Sequence, residues 1–155
     1  MDKYLIKTKS TLELLGDLEE EQIQNEYVLG VLGSSSAASW TSQTLLEKVM
    51  EPISGTLEKL PVKLLLPADG TTSLLLETWA GKNKVDTKVY SADWKVLGRR
   101  ARAIRDSQIM KESSHLLMFL GRSDYYEKVA IREVKKGKVV FTIDSKTFEL
   151  AQWEL

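Results

Sequence analysis

The chain has 155 residues, 43% hydrophobic and 28% charged, with 22 basic residues balanced by 22 acidic ones, one histidine and no cysteine. A chain of this length buries about 68–70% of its unfolded surface, enough for one globular domain without metals or disulfides. The missing cysteines exclude a disulfide framework, a thiolate zinc site, an iron–sulfur cluster and a cysteine nucleophile, and zero net charge argues against whole-surface attraction to nucleic acid or anionic membrane.

Any anion site must therefore be local. No apolar run approaches the roughly 18 residues of a membrane span, and Met1-Asp2-Lys3-Tyr4 lacks the order of a signal peptide. A cytoplasmic setting without membrane contact is expected.

Residues 1–26 read as an N-terminal extension, packed on the core or used for partners. They hold a short apolar-polar stretch at Tyr4 to Thr8, a capping-box pattern from Ser10 to Glu13 and an acidic run from Asp17 to Glu21. The run Tyr27 to Leu32, closed by Gly33-Ser34-Ser35-Ser36, reads as a buried strand entering a small-residue loop. Leu45, Leu46, Val49 and Ile53 then recur at helical spacing behind Thr41 or Ser42, with Pro52 near the end.

The pattern repeats. Val62 to Leu66 predicts a strand, Pro67 to Thr71 a turn, and Thr72 to Ala80 a helix stopped by Gly81. A strand from Thr87 to Tyr90 leads through Ser91-Ala92-Asp93-Trp94 to a helix from about Leu97 to Lys111. His115 to Leu120 is a fourth strand, Ser123 or Asp124 starts a helix running to Lys136, and Lys138 to Ile143 is a fifth strand. Residues 144–155 form a tail with Phe148 and Trp153, which could pair or pack at one edge of the sheet.

Alternating strands and helices with short connections predict an α/β Rossmann-like three-layer sandwich over residues 27–143, its sheet mostly parallel and of five or more strands. In such a sheet the ligand crevice lies outside the carboxyl ends of the strands, so the loops after each strand carry the information.

Gly30-x-x-Gly33 with three serines suits an anion, because small residues let backbone N–H groups and hydroxyls approach it. It matches neither G-x-G-x-x-G nor G-x-x-x-x-G-K-[ST], and a flexible strand-to-helix loop is the competing reading. Arg99, Arg100, Arg102 and Arg105 crowd one short segment. As a helix it would set Leu97, Ala101, Ile104 and Gln108 on one face and Arg99, Arg102 and Arg105 on another. Guanidinium forks suit phosphate, and a solvated face paired with Asp93, Asp106 or Glu112 is the alternative.

His115 is the lone histidine, and its place at a strand start favours packing over catalysis. Asp69 and Asp93 stand singly, so no metal or other cofactor is expected. Either could hydrogen-bond a ribose or cap a helix, and Trp94 could stack a base or pack on the sheet.

Ala92-Asp93-Trp94 followed by Gly98-x-x-Ala101-x-x-x-Arg105-Asp106 resembles the A-D-W and G-x-x-A-G-x-x-R-N motifs of the YspA/YpsA-related branch of the SLOG superfamily. These are Rossmann-like proteins related to the cytokinin-activating LOG enzymes and DprA. Trp79-Ala80 is similar to the W-A ending that branch's second helix, and Gly33-Ser34-Ser35 to its G-S-R.

The chain departs from the pattern in several places. Pro67-Ala68-Asp69-Gly70-Thr71 replaces a G-G-A-x-G turn, Arg102 replaces a glycine, and Asp106 replaces an asparagine. Leu120 to Glu127 keeps only Gly121 of the LOG motif P-G-G-x-G-T-x-x-E.

The resemblance implies binding of a nucleotide or nucleotide-derived small molecule, for sensing or sequestration. Gly33, Ser34, Ser35, Asp69, Gly70, Thr71, Asp93, Trp94, Arg102, Arg105, Gly121, Arg122 and Ser123 are the candidate contacts. Homo-oligomers are implied, and nucleic acid is disfavoured by the neutral charge. Two alternatives remain open. One is an N-glycosidic hydrolase of a nucleoside monophosphate using Glu127 or Asp124, which loss of the LOG motif argues against. The other is a degenerate SLOG-like interaction module.

Overall fold

The structure is a computed structural model that describes residues 26–37, 39–68, 70–121 and 123–154. Six strands form one sheet: β1 (Val28–Leu32), β2 (Lys63–Pro67), β3 (Asp86–Tyr90), β4 (His115–Leu120), β5 (Val139–Asp144) and β6 (Leu150–Gln152), in the order β3-β2-β1-β4-β5-β6. The first five strands run parallel, and β6 pairs antiparallel with β5. The helices are α1 (Ser34–Ala37), α2 (Gln43–Leu57), α3 (Gly70–Asn83), α4 (Trp94–Leu97), α5 (Ala101–Glu112) and α6 (Tyr125–Lys135), with a 3₁₀ turn at Gly98–Arg100 between α4 and α5.

Past their first residues the central strands β1, β2 and β4 are apolar because both faces are covered, and the two-residue strand period divides them between two cores. Leu29, Val31, Leu64, Leu66, Leu117 and Phe119 pack with Leu46, Val49, Met50 and Ile53 of α2 and with Leu76 and Trp79 of α3. Leu32, Leu65, Leu116, Met118 and Val140 meet Ile109 of α5 and Val129 and Ala130 of α6. This is a Rossmann-like α/β arrangement with helices on both faces. The chain changes face between β3 and α5, so strand order reverses between β1 and β4, where such sheets open their crevice.

Gly30 lies on the α5 side of β1, where a Cβ would stand 2.8 Å from Ile109 Cγ2 and 2.9 Å from Ser113 Oγ. Its lack of a side chain serves the close seating of α5 on β1, not an approach to phosphate.

Three local expectations are corrected. Gly81 does not stop α3, which continues to Asn83. The Asn83 amide donates to the Trp79 carbonyl at 2.8 Å, Lys84 takes the left-handed conformation (φ 57°), and Val85 N–H returns to the Ala80 carbonyl at 2.9 Å. These bonds satisfy the last carbonyls without glycine. The helix expected from Leu97 is broken by Gly98 (φ 57°) and the 3₁₀ turn, and α5 proper starts at Ala101. Its buried positions are Ala101, Arg105, Asp106 and Ile109, so the expected common face of Arg99, Arg102 and Arg105 is split, with Arg105 buried and the other two exposed.

The tail supplies β6, which the sequence left without a strand assignment. Trp153 is buried and its indole N–H donates to Thr142 Oγ1 at 2.8 Å, so the tail closes the β5 edge. Residues 1–25, with the expected apolar stretch, capping box and acidic run, lie outside the described residues. Among the described residues, no helix is long and apolar enough to cross a membrane.

His115 opens β4 at the amino edge of the sheet, across the strands from the crevice. Its ring rests 4.8 Å from that of Tyr27, and Nδ1 lies 2.9 Å from Ser114 Oγ. Burial lowers its pKa from 6.5 to about 4. The unfolded chain takes up a proton near pH 6.5 while the folded one does not, so stability present above 6.5 is lost as pH falls towards 4. The loss is on the order of 2–3 kcal/mol. Denaturant titrations of wild type and His115→Phe across this window should show a flatter profile in the variant; superimposable profiles would refute the assignment.

Candidate functional site

The carboxyl end of β1 is closed from below. Gly33 follows the strand with φ 79°, and a Cβ there would stand 2.5 Å from the Phe119 carbonyl oxygen and 3.3 Å from Tyr126 Cε2. Both the left-handed backbone and this approach demand glycine, and together they press the turn against the end of β4. Ser34 is fully buried, its Oγ 3.0 Å from Ser73 Oγ, and Thr41 Oγ1 lies 2.7 Å from Thr72 Oγ1. These hydroxyl pairs tie the segment after β1 to α3. The Gly33 turn and the Ser34 hydroxyl thus serve packing, and neither residue lines the cavity described below.

Between α5 and α6 a charged cluster is buried. Arg105 donates from Nη2 and Nε to Asp106 Oδ1 at 3.1 and 3.2 Å, with both side chains 2% exposed. Tyr126 O–H donates to the other carboxylate oxygen at 2.9 Å. Burial raises the Asp106 pKa, opposed chiefly by the Arg105 charge. Burial and the neighbouring carboxylate also raise that of the Tyr126 phenol. Arg105 is therefore a structural cation, and the expected phosphate role does not fit its position.

Above this cluster, at the carboxyl end of β4, lies a cavity of about 460 Å³ lined by Arg99, Arg102, Ala103, Asp106, Gly121, Ser123, Tyr125 and Tyr126. Arg99 and Arg102 are exposed, and the Arg102 guanidinium sits 5.9 Å from the centre of the Trp94 ring. Tyr125 and Tyr126 meet edge to face at 5.0 Å. Ser123 Oγ accepts from the Tyr125 N–H, the first of α6, at 3.1 Å, and the amino end of that helix opens onto the cavity.

Of the candidates, Arg102, Gly121 and Ser123 come together here, with Trp94 beside them. Gly70 and Thr71 instead line a separate hollow of about 470 Å³ with Leu74, Glu77 and Val89. Asp93 is exposed and accepts from the Val96 N–H at 3.2 Å, so it caps α4. Asp69, Arg122 and the Ser35 side chain lie outside the described residues. Asp124 is ion-paired with Lys128 at 3.4 Å, and Glu127 is half-buried in the first turn of α6; neither lines the cavity.

Sequence reasoning placed Arg99 in the arginine cluster suited to phosphate without singling it out as a contact, and it missed Ala103, Asp106, Tyr125 and Tyr126 as lining residues. The available signal was the position of Tyr125-Tyr126 directly after the fourth-strand loop. Among the described residues, no group of three His, Asp or Glu side chains gathers to hold a metal ion. Comparison of the chain with models of protein families, with curated proteins and with solved structures finds no match.

Asp106→Ala removes one partner of a buried ion pair and should cost about 3–5 kcal/mol of unfolding free energy. Gly33→Ala must distort the turn, and should cost about 2 kcal/mol or more. Chemical denaturation of both variants checks these values; losses below about 0.5 kcal/mol, typical of a surface change, would contradict the packing described.

Proposed function

We propose that the protein binds a nucleotide or nucleotide-derived molecule in the cavity at the carboxyl end of β4. The observation that carries this reading is the lining itself: two exposed guanidinium groups, two tyrosine rings and the amino end of α6 around about 460 Å³, within the size range of small-molecule sites. Arg99 and Arg102 hold the phosphate, helped by the partial positive charge at the start of α6. Tyr125, 45% exposed, and Trp94, 51% exposed, offer faces for a base. The resemblance to SLOG proteins supports the same chemistry, with the phosphate held by side chains where that family uses glycine loops. Arg102, at a family glycine position, marks that change.

A degenerate interaction module is favoured by one observation, the burial of Ser34 against Ser73 where the resemblance would put an anion loop. The hydrolase alternative gains no comparable support, since Asp124 is engaged by Lys128 and Glu127 stands outside the lining.

A thermal-shift panel of AMP, ADP-ribose, NAD, cyclic nucleotides and ribose 5-phosphate tests the proposal. A native-state ligand at 100 times its Kd adds about 2.7 kcal/mol. A phosphorylated compound should raise Tm, and Arg102→Ala should weaken its binding by about 10–100-fold, as expected for a charged hydrogen bond of about 1.5–3 kcal/mol. No shift with any compound, or equal binding by the variant, would shift the reading to the interaction module.

A further inference from the structure

A second hollow, of about 880 Å³, runs between α5 and α6 on the solvent side. Its charged lining is one-sided: Arg100, Lys111, Arg132, Lys136 and Lys138 against Glu133 alone. Glu133 is buried and already bound by Lys136 at 2.9 Å and Lys138 at 3.5 Å. Among the described residues, no ion pair engages Arg100, Lys111 or Arg132, all three exposed. Ile104 and Met110 add apolar surface to the hollow. Five cations facing one satisfied carboxylate repel one another unless an anion covers them.

The chain carries the complementary charge elsewhere. Residues 1–25 hold three lysines against six carboxylates, so in a balanced chain the remaining residues carry three net positive charges. Five of those six carboxylates, Glu13, Asp17, Glu19, Glu20 and Glu21, fall within nine residues that also include Leu14, Leu15 and Leu18.

The route is short. The N-terminal segment joins the fold at β1, whose Val28 N–H donates to Ser114 Oγ at 3.1 Å and whose Val28 carbonyl accepts from the Ser114 N–H at 3.1 Å. Ser114 lies just past the end of α5, close in sequence to Met110 and Lys111 of the hollow. The six steps from Glu21 to Tyr27 span up to about 20 Å, which reaches the hollow from that entry point.

We infer that the groove between α5 and α6 is a docking site for the acidic segment Glu13 to Glu21 of the same chain, held by charge pairs to Arg100, Lys111 and Arg132 with leucines on Ile104 and Met110. Tethering this close gives an effective concentration of about millimolar, so even weak pairs keep the segment docked. Ala103 lines both this groove and the cavity above it, so the docked segment lies beside the ligand site.

A spin label on Gly16→Cys, unique because the chain has no cysteine, tests the inference in the full-length protein by relaxation of backbone amides. The expected result is severalfold stronger broadening at Met110 and Lys136 than along α2. It should be lost in about 1 M salt, where the Debye length is about 3 Å. Reversing Arg100, Lys111 and Arg132 to Glu should also abolish it, and adding Glu19→Lys, Glu20→Lys and Glu21→Lys should restore it. Broadening that is absent, or insensitive to both salt and reversal, overturns the inference. So does broadening of an unlabelled copy mixed with spin-labelled protein, which would assign the contact to a second chain.

Discussion

The geometry of the cavity depends on one buried ion pair, Arg105 with Asp106, and on the Tyr126 hydroxyl that joins it from the facing helix. Two charges taken out of water cost several kcal/mol each unless their remaining hydrogen-bond capacity is met. Here the carboxylate receives Nη2 and Nε on one oxygen and a phenol on the other. Arg105 and Asp106 are neighbours in α5, so the Tyr126 hydroxyl is the bond of this cluster that ties α6 to α5. The same placement leaves Arg102 facing out and brings Arg99, Ser123 and Tyr125 to a common rim.

A second set of contacts decides where the opening cannot be. The Ser34–Ser73 and Thr41–Thr72 pairs bind the segment after β1 to α3, and Gly33 is pressed against the Phe119 carbonyl. A Rossmann-like sheet opens where its strand order reverses, here between β1 and β4. With the β1 side sealed by small hydroxyl residues, the remaining space lies on the β4 side. An anion there would be met by guanidinium groups and a helix start, whereas glycine loops of the LOG kind use backbone amides. The two arrangements would offer positive potential to an anion through different groups, and they differ in how much side-chain order each requires.

Electrostatically the chain is neutral in sum, with its charges unevenly distributed along the sequence. Arg99 and Arg102 face the cavity, while Arg100, Lys111, Arg132 and Lys136 lie along the hollow between α5 and α6. The compensating carboxylates are concentrated in residues 13–21. Zero net charge therefore says little about the local potential at either site, which depends on separations within a Debye length of about 8–10 Å.

The order of strands and helices was legible from the sequence, because it rests on local periodicity: apolar runs such as Leu64 to Leu66 and His115 to Leu120 are strands wherever they pack, and Leu46, Val49 and Ile53 form a helical stripe on their own. Short crossovers then force parallel strands with helices on both faces. The loops after the strands were legible for the same reason, and Gly121 and Ser123 came from them, whereas Arg102 came from the arginine cluster of the helix that follows the third strand. The roles of individual residues were decided only by tertiary structure. Arg102 and Arg105 are three apart in one helix, yet one is exposed and the other is 3% exposed, because Arg105 lies on the buried line with Ala101 and Ile109 and Arg102 lies off it. The Ser34 hydroxyl meets that of Ser73, 39 residues away in the chain, a pairing that no local pattern encodes. Periodicity reports which residues share a face, but the partner across that face comes from distant parts of the chain, and only the packed molecule brings the two together.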